Sequence, residues 1–147
     1  MGRRRVPSSF FVFVVVEHEG HVLVVREAKD GQRWYAPAGG LEPGETIREA
    51  AIRETLEESG VLVEPVGLVR IDQQWFGDGD GLAGWWRFVL VARPVGSLAT
   101  KQVPDRHSLE ARWVRPEEIA RLPLRHPEVV ELVTLARGAR GMMPLVA

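Results

Sequence analysis

One segment constrains this chain more than any other: Gly39-GLEPG-Glu45-TIREAAI-Arg53-Glu54-Thr55-Leu56-Glu57-Glu58-Ser59-Gly60-Val61. An α-helix turns by about 100° per residue, so positions i, i+3 and i+4 share a face. Glu54, Glu57 and Glu58 therefore crowd one arc behind a Gly/Pro-rich loop. Three carboxylates so placed repel one another unless a cation sits among them, and hard oxygen donors favour Mg²⁺ or Mn²⁺. The alternative is a solvated acidic helix end, paired loosely with Arg53 and its neighbours.

Local signals predict a helix over Thr46 to Ser59. Pro43-Gly44 makes a turn, Thr46 with Glu49 forms a capping box, and Gly60 supplies a left-handed C-cap. Ile47, Ala50 and Ala51 lie on the same arc as Glu54 and Glu58, with Glu57 at its edge. A stripe that begins apolar and ends in carboxylates suits the mouth of a cation-holding cleft.

The 147 residues make one domain, 1–147. A net charge of −1 gives no electrostatic case for a nucleic-acid polymer or an anionic membrane as main partner. Arg3-Arg4-Arg5 reads as a solvated tail. With no cysteine, disulfides and thiolate chemistry are excluded. No apolar run is long enough for a spanning helix, and no signal peptide is evident, so the expected location is cytoplasmic.

Phe10 to Glu17 is dense in β-branched and aromatic residues and reads as a strand buried on both faces. Glu19-Gly20 turns it into a second strand, His21 to Arg26. A short extended piece follows at Arg33-Trp34-Tyr35. Strands are expected from Leu62 to Trp75 and from Trp85 to Arg93, with Asp78-Gly79-Asp80-Gly81 as a hairpin tip; a calcium loop is disfavoured because the ligand ladder is missing. After a loop from Gly96 to Leu109, Ala111 to Val114 is short and extended. Pro116 opens a small helix. Pro127 starts a last one, buried through Val129, Val130, Leu132, Val133 and Leu135. Mixed strands, a central helix and a terminal helix imply an α/β fold, a three-layer α/β/α sandwich on a mixed β-sheet.

Gly39, Glu45, Arg53-Glu54, Glu57-Glu58 and Gly60-Val61 match the Nudix box, G-x5-E-x7-R-E-U-x-E-E-x-G-U, over residues 39–61. The one departure is Thr55 at the first aliphatic position. The chain thus resembles the Nudix (MutT-like) hydrolases along nearly its whole length, and the resemblance implies the Nudix fold. It also implies Mg²⁺-dependent hydrolysis of a nucleoside diphosphate linked to another moiety. By position it makes Glu54, Glu57, Glu58 and the carbonyl of Ala38 metal ligands. Arg53 and Glu45 would hold loop and helix geometry, with Arg53, Glu54 and Glu57 the catalytic set.

The general base is left open between Glu54 and the loop residues Glu110 and Asp105, with His107 beside them. Arg26, Arg33 and Arg87 are candidates for phosphate or base contacts. Trp75, Phe76, Trp85 and Trp86 are expected to flank the substrate cleft, with Trp75 or Trp85 stacking on a nucleobase; filling the core is the alternative for each.

WYAPAGGLEPGETIREA, RFVLVARP and LPLRHPEVVELV are similar to the Nudix branch that degrades 8-oxoguanine nucleoside diphosphates. An oxidised purine nucleoside di- or triphosphate is the favoured substrate. The alternatives are ADP-ribose or another nucleotide sugar, and, in a different class, a non-catalytic nucleotide sensor. A prenyl diphosphate isomerase is disfavoured by the missing cysteine. The expected partner is a small-molecule nucleotide; many relatives form homodimers, but nothing in the chain decides its oligomeric state.

Overall fold

The computed structural model describes residues 2–139 and 141–145. Seven strands are joined as β1 (Ser8–His18), β2 (His21–Glu27), β3 (Trp34–Tyr35), β4 (Ala38–Gly40), β5 (Val63–Phe76), β6 (Ala83–Pro94) and β7 (Ser108–Val114). The helices are α1 (Ile47–Ser59), α2 (Pro116–Ile119) and α3 (Glu128–Gly138). β1 lies parallel to β6 and antiparallel to β4, and β6 continues antiparallel to β5, giving one mixed sheet. β2 pairs antiparallel with β3 and β7 and joins β1 through their hairpin.

The alternation of β1 builds both cores. Phe13 and Val15 face one side with Val89, Val91 and α3 residues Val129, Leu132 and Val133. Val12, Val14 and Val16 face the other with Leu90, Ala92 and α1 residues Ala50 and Ala51. Successive side chains of a strand point to opposite faces, so a strand apolar at every position must be covered twice. The three-layer α/β/α expectation is what results. Among the described residues, no helix is long and apolar enough to cross a membrane.

Two expectations need correction. β7 begins at Ser108, earlier than the short piece expected at Ala111, because the chain re-enters the sheet opposite Glu27. Glu110 therefore lies within the strand that carries Trp113. In α3, Leu135 is 40% exposed and Ala136 takes the inward position instead. Asp78–Gly81 is a hairpin tip as expected, closed by a 3-10 turn at Gly79–Gly81.

Candidate active site

α1 starts and stops where its capping residues dictate. The Thr46 side chain accepts from the Glu49 N–H at 3.1 Å, Glu49 closes the reciprocal half of the box, and Gly60 adopts φ 79°. This fixes the rotation of the helix, burying Ala50, Ala51, Thr55 and Glu58. The Thr55 hydroxyl is buried without a hydrogen-bond partner, a mark of its place at an aliphatic position of the motif.

Arg53 ties loop to helix. It donates to both oxygens of Glu45 (2.6 and 2.9 Å), to the carbonyl of Gly40 (2.9 Å), to Glu54 (2.9 Å) and to Glu57 (3.3 Å). The Glu45 hydrogen bonds raise the guanidinium pKa, and Arg53 in turn holds the Glu45 carboxyl below its usual range. Gly39 is required by contact: a Cβ there would stand 2.2 Å from the Glu54 carboxyl carbon. The loop passes so close to the helix that the Glu54 side chain fills the missing side chain's space.

Glu54 and Glu58 share a cleft of about 240 Å³ with Ala38, Glu27, Ala28, Lys29, Arg106 and His107. Glu58 is 8% exposed and accepts the Ala38 N–H at 3.0 Å. Burial pushes its carboxyl well up; the Ala38 N–H opposes this, and the charges of Glu54 and Glu27 add to it. Glu54 is also raised, by burial first and by Glu57, against the pull of Arg53. Glu57 leans toward Arg53 and toward His107 Nδ1 at 3.7 Å. Among the described residues no three such side chains converge as they would round a bound ion. The donor chemistry nonetheless fits a hard divalent cation, because buried carboxylates forced toward protonation by one another are relieved by shared positive charge.

A loop from the far side of the chain closes over this helix end. Lys101 Nζ donates to the Glu57 carbonyl and Ser108 Oγ to the Glu58 carbonyl, each at 2.5 Å, and the Lys101 N–H donates to the Ser59 carbonyl at 2.7 Å. These satisfy acceptors that a helix C-terminus leaves open. The loop's contribution was invisible in the motif, since its partners are more than forty positions away, as the separation of 44 between Lys101 and Glu57 records. Asp105 is drawn into the loop itself: Lys101 first, then the His107 N–H, hold its carboxyl down to about 2. So committed, it is a poor proton acceptor.

The other candidates are dispersed. Arg26 pairs with Glu110 across β2 and β7 at 3.0 Å, in a separate groove lined also by Trp113. Arg33 is exposed beside the short 3-10 turn that precedes β3. Trp75 is 55% exposed near the end of β5. Trp75 faces Gly84 while its neighbour Gln74 faces Trp85, so the two tryptophans lie on opposite sides of the sheet. Trp85 packs on Phe11 and lies 5.4 Å from the Arg87 guanidinium. Arg87 is itself bound to Asp72 and to Glu128, which also accepts the Tyr35 hydroxyl at 2.7 Å. A larger groove of about 740 Å³, lined by Phe10, Leu41, Ile47 and Phe88, runs beside the box loop and carries none of the three carboxylates.

The NUDIX domain family matches residues 6–133. Mouse 8-oxo-dGDP phosphatase NUDT18 is 42% identical over 140 residues, covering 90% of this chain and 40% of that protein. The chain thus spans well under half the length of that relative. The phosphatase NudJ of Shigella boydii is 38% identical over 83% of this chain and 78% of its own length. A solved NUDIX hydrolase from Nitrosomonas europaea superposes with a TM-score of 0.74 at 28% identity, covering 94% of this chain and 93% of that one. Motif, fold and relatives agree: this chain belongs to the NUDIX domain family.

Proposed function

We propose that this domain hydrolyses a phosphoanhydride bond of a nucleoside diphosphate derivative, with an oxidised purine nucleoside diphosphate as substrate and Mg²⁺ as cofactor. The observation that carries the reading is the cleft in which Glu54 and Glu58 are pressed together at the end of a helix whose box is complete in its charged residues. The names of the NUDT18 relatives support the choice of substrate. Mg²⁺, or Mn²⁺ in its place, would be held by Glu54, Glu58 and Glu57, with Ala38 at the cleft wall. When bound it neutralises the bridging phosphates and lowers the pKa of the attacking water. The chain's own residues do the rest. Arg53 orients Glu54 and Glu57, Glu54 takes the proton from the incoming water, and the Ala38 N–H fixes Glu58. Trp85, on the sheet face with Phe11, offers a stacking surface for the base.

A Mg²⁺-dependent screen that separates and quantifies the nucleotide products of 8-oxo-dGDP, 8-oxo-dGTP, unmodified nucleotides and ADP-ribose tests this reading. The expected result is preference for the oxidised diphosphate, with kcat lowered at least about 100-fold in Glu57→Gln. Preference for ADP-ribose moves the substrate to the nucleotide sugars. Folded protein that binds nucleotide without turnover overturns the hydrolase reading in favour of a sensor.

A further inference from the structure

We infer that Lys29 and Arg106 read the terminal phosphate of the substrate and select nucleoside diphosphates over nucleotides whose second phosphate is esterified. The inference rests on the hydrolase reading above and deepens it. The cleft that holds Glu54 and Glu58 is also lined by Lys29, Arg106 and His107. Several arginines elsewhere in the fold end on carboxylates, as Arg48, Arg53, Arg70 and Arg87 do. Lys29 and Arg106 do not: among the described residues neither forms an ion pair, and the one polar contact of the Arg106 side chain is Nε to His107 Nε2 at 3.3 Å. Two cations that, among the described residues, have no carboxylate of their own line a cleft already crowded with carboxylates. Such a wall is completed by an anion, and one that tolerates nearby acidic groups when a divalent cation lies between them.

Arg106 is not carried on a loose loop. On one side Lys101 is bound to the Glu57 and Ser59 carbonyls; on the other Ser108 is bound to the Glu58 carbonyl. Between them Asp105 accepts the N–H groups of His107 at 2.8 Å and Ser108 at 3.2 Å and pairs with Lys101 at 2.8 Å. The loop is thus bolted to the turn of α1 that bears Glu57 and Glu58, which fixes where the backbone of Arg106 stands relative to those carboxylates. A terminal phosphate carries up to two charges and three free oxygens. An esterified internal phosphate carries one charge and fewer free oxygens. A Lys point charge beside an Arg fork therefore gains more from the former.

The test measures kcat/KM for 8-oxo-dGDP and for ADP-ribose in the wild type, Lys29→Ala, Arg106→Ala and the double variant. Alongside it, calorimetry follows binding of inorganic phosphate to the Mg²⁺-loaded proteins. Both side chains are exposed, so folding is expected to survive. The double variant should lose at least about tenfold in kcat/KM for the diphosphate, through KM, and change less than about threefold for ADP-ribose. Its affinity for phosphate should fall by at least about tenfold, and Arg106→Lys should recover part of it. Wild-type kinetics and phosphate affinity in the double variant overturn the inference while leaving the hydrolase reading intact. Equal losses on both substrates also overturn it, since the pair would then not select. If the wild type turns over nothing, the hydrolase reading fails, and the phosphate titration still decides for or against the pair.

Discussion

Two arginines organise opposite faces of the central sheet, and they do so to opposite ends. Arg53, on α1, gathers Glu45, Glu54, Glu57 and the Gly40 carbonyl, none more than 13 positions away. Arg87, on β6, gathers Asp72 and Glu128, the latter 41 positions away, and lies over the rings of Phe13 and Trp85. Around Arg87 the charges are matched. Burial alone would raise Asp72 and Glu128, but hydrogen bonds from Arg87, with Arg70 and Tyr35, outweigh it and hold both carboxyls low. Around Arg53 they are not: burial and mutual repulsion leave Glu54 and Glu58 raised despite the guanidinium. The Arg87 cluster is matched in charge; the Arg53 cluster carries more carboxylate than its guanidinium offsets.

Replacing each centre tests the contrast most severely. Arg87→Met should destabilise the fold by about 2–3 kcal/mol, because it takes the shared cation from two half-buried carboxylates and leaves them only Arg70 and Tyr35. Urea unfolding that shows less than about 1 kcal/mol would sink the idea of a matched cluster. Arg53→Ala should instead lower kcat by about 10–100-fold with a smaller loss of stability, since its role is to aim carboxylates. A variant with wild-type kcat would contradict that role.

The titrations should run in opposite directions. Asp72 and Glu128 have depressed folded pKa values, so their stabilisation is present above the unfolded carboxylate range near about 4 and is lost as pH falls through the folded values. Glu54 and Glu58 are raised, so without metal their ionisation costs stability as pH rises from that same range through the folded values. Glu58→Gln should therefore raise metal-free stability at pH 8 by about 1–2 kcal/mol, with the gain fading toward pH 4, while activity is lost. A thermal-melt series showing no pH-dependent gain would refute the repulsion. Smallest of all, Thr55→Val should stabilise by about 1 kcal/mol or less, by deleting a buried hydroxyl that has no partner. Differential scanning calorimetry can resolve it, and a loss of stability would mean the hydroxyl matters.

The same contrast explains what could be read from the chain before folding. α1, its capping box, its Gly60 stop and the arc of Glu54 and Glu58 follow from spacing of three, four and seven residues, which geometry converts directly into contacts. Glu27, Lys29 and Arg106 reach the same cleft from β2, the turn after it and a distant loop, and no local period marks them. Trp75 and Trp85 looked like one aromatic wall because both flank a hairpin, but cross-strand register puts them on opposite faces, a one-residue distinction that composition cannot make. Glu110 resembled a loop acid until β7 proved longer and paired it with Arg26.

β1 carries a consequence for how the molecule comes apart. Its alternate residues belong to different cores, with Phe13 and Val15 in one and Val12, Val14 and Val16 in the other. Neither core can loosen without freeing one side of the strand that completes its neighbour. Melting is therefore expected as a single transition rather than in two stages. The slowest amide exchange should map to the middle of β1 and its partner β6, where local opening requires loss of the whole fold.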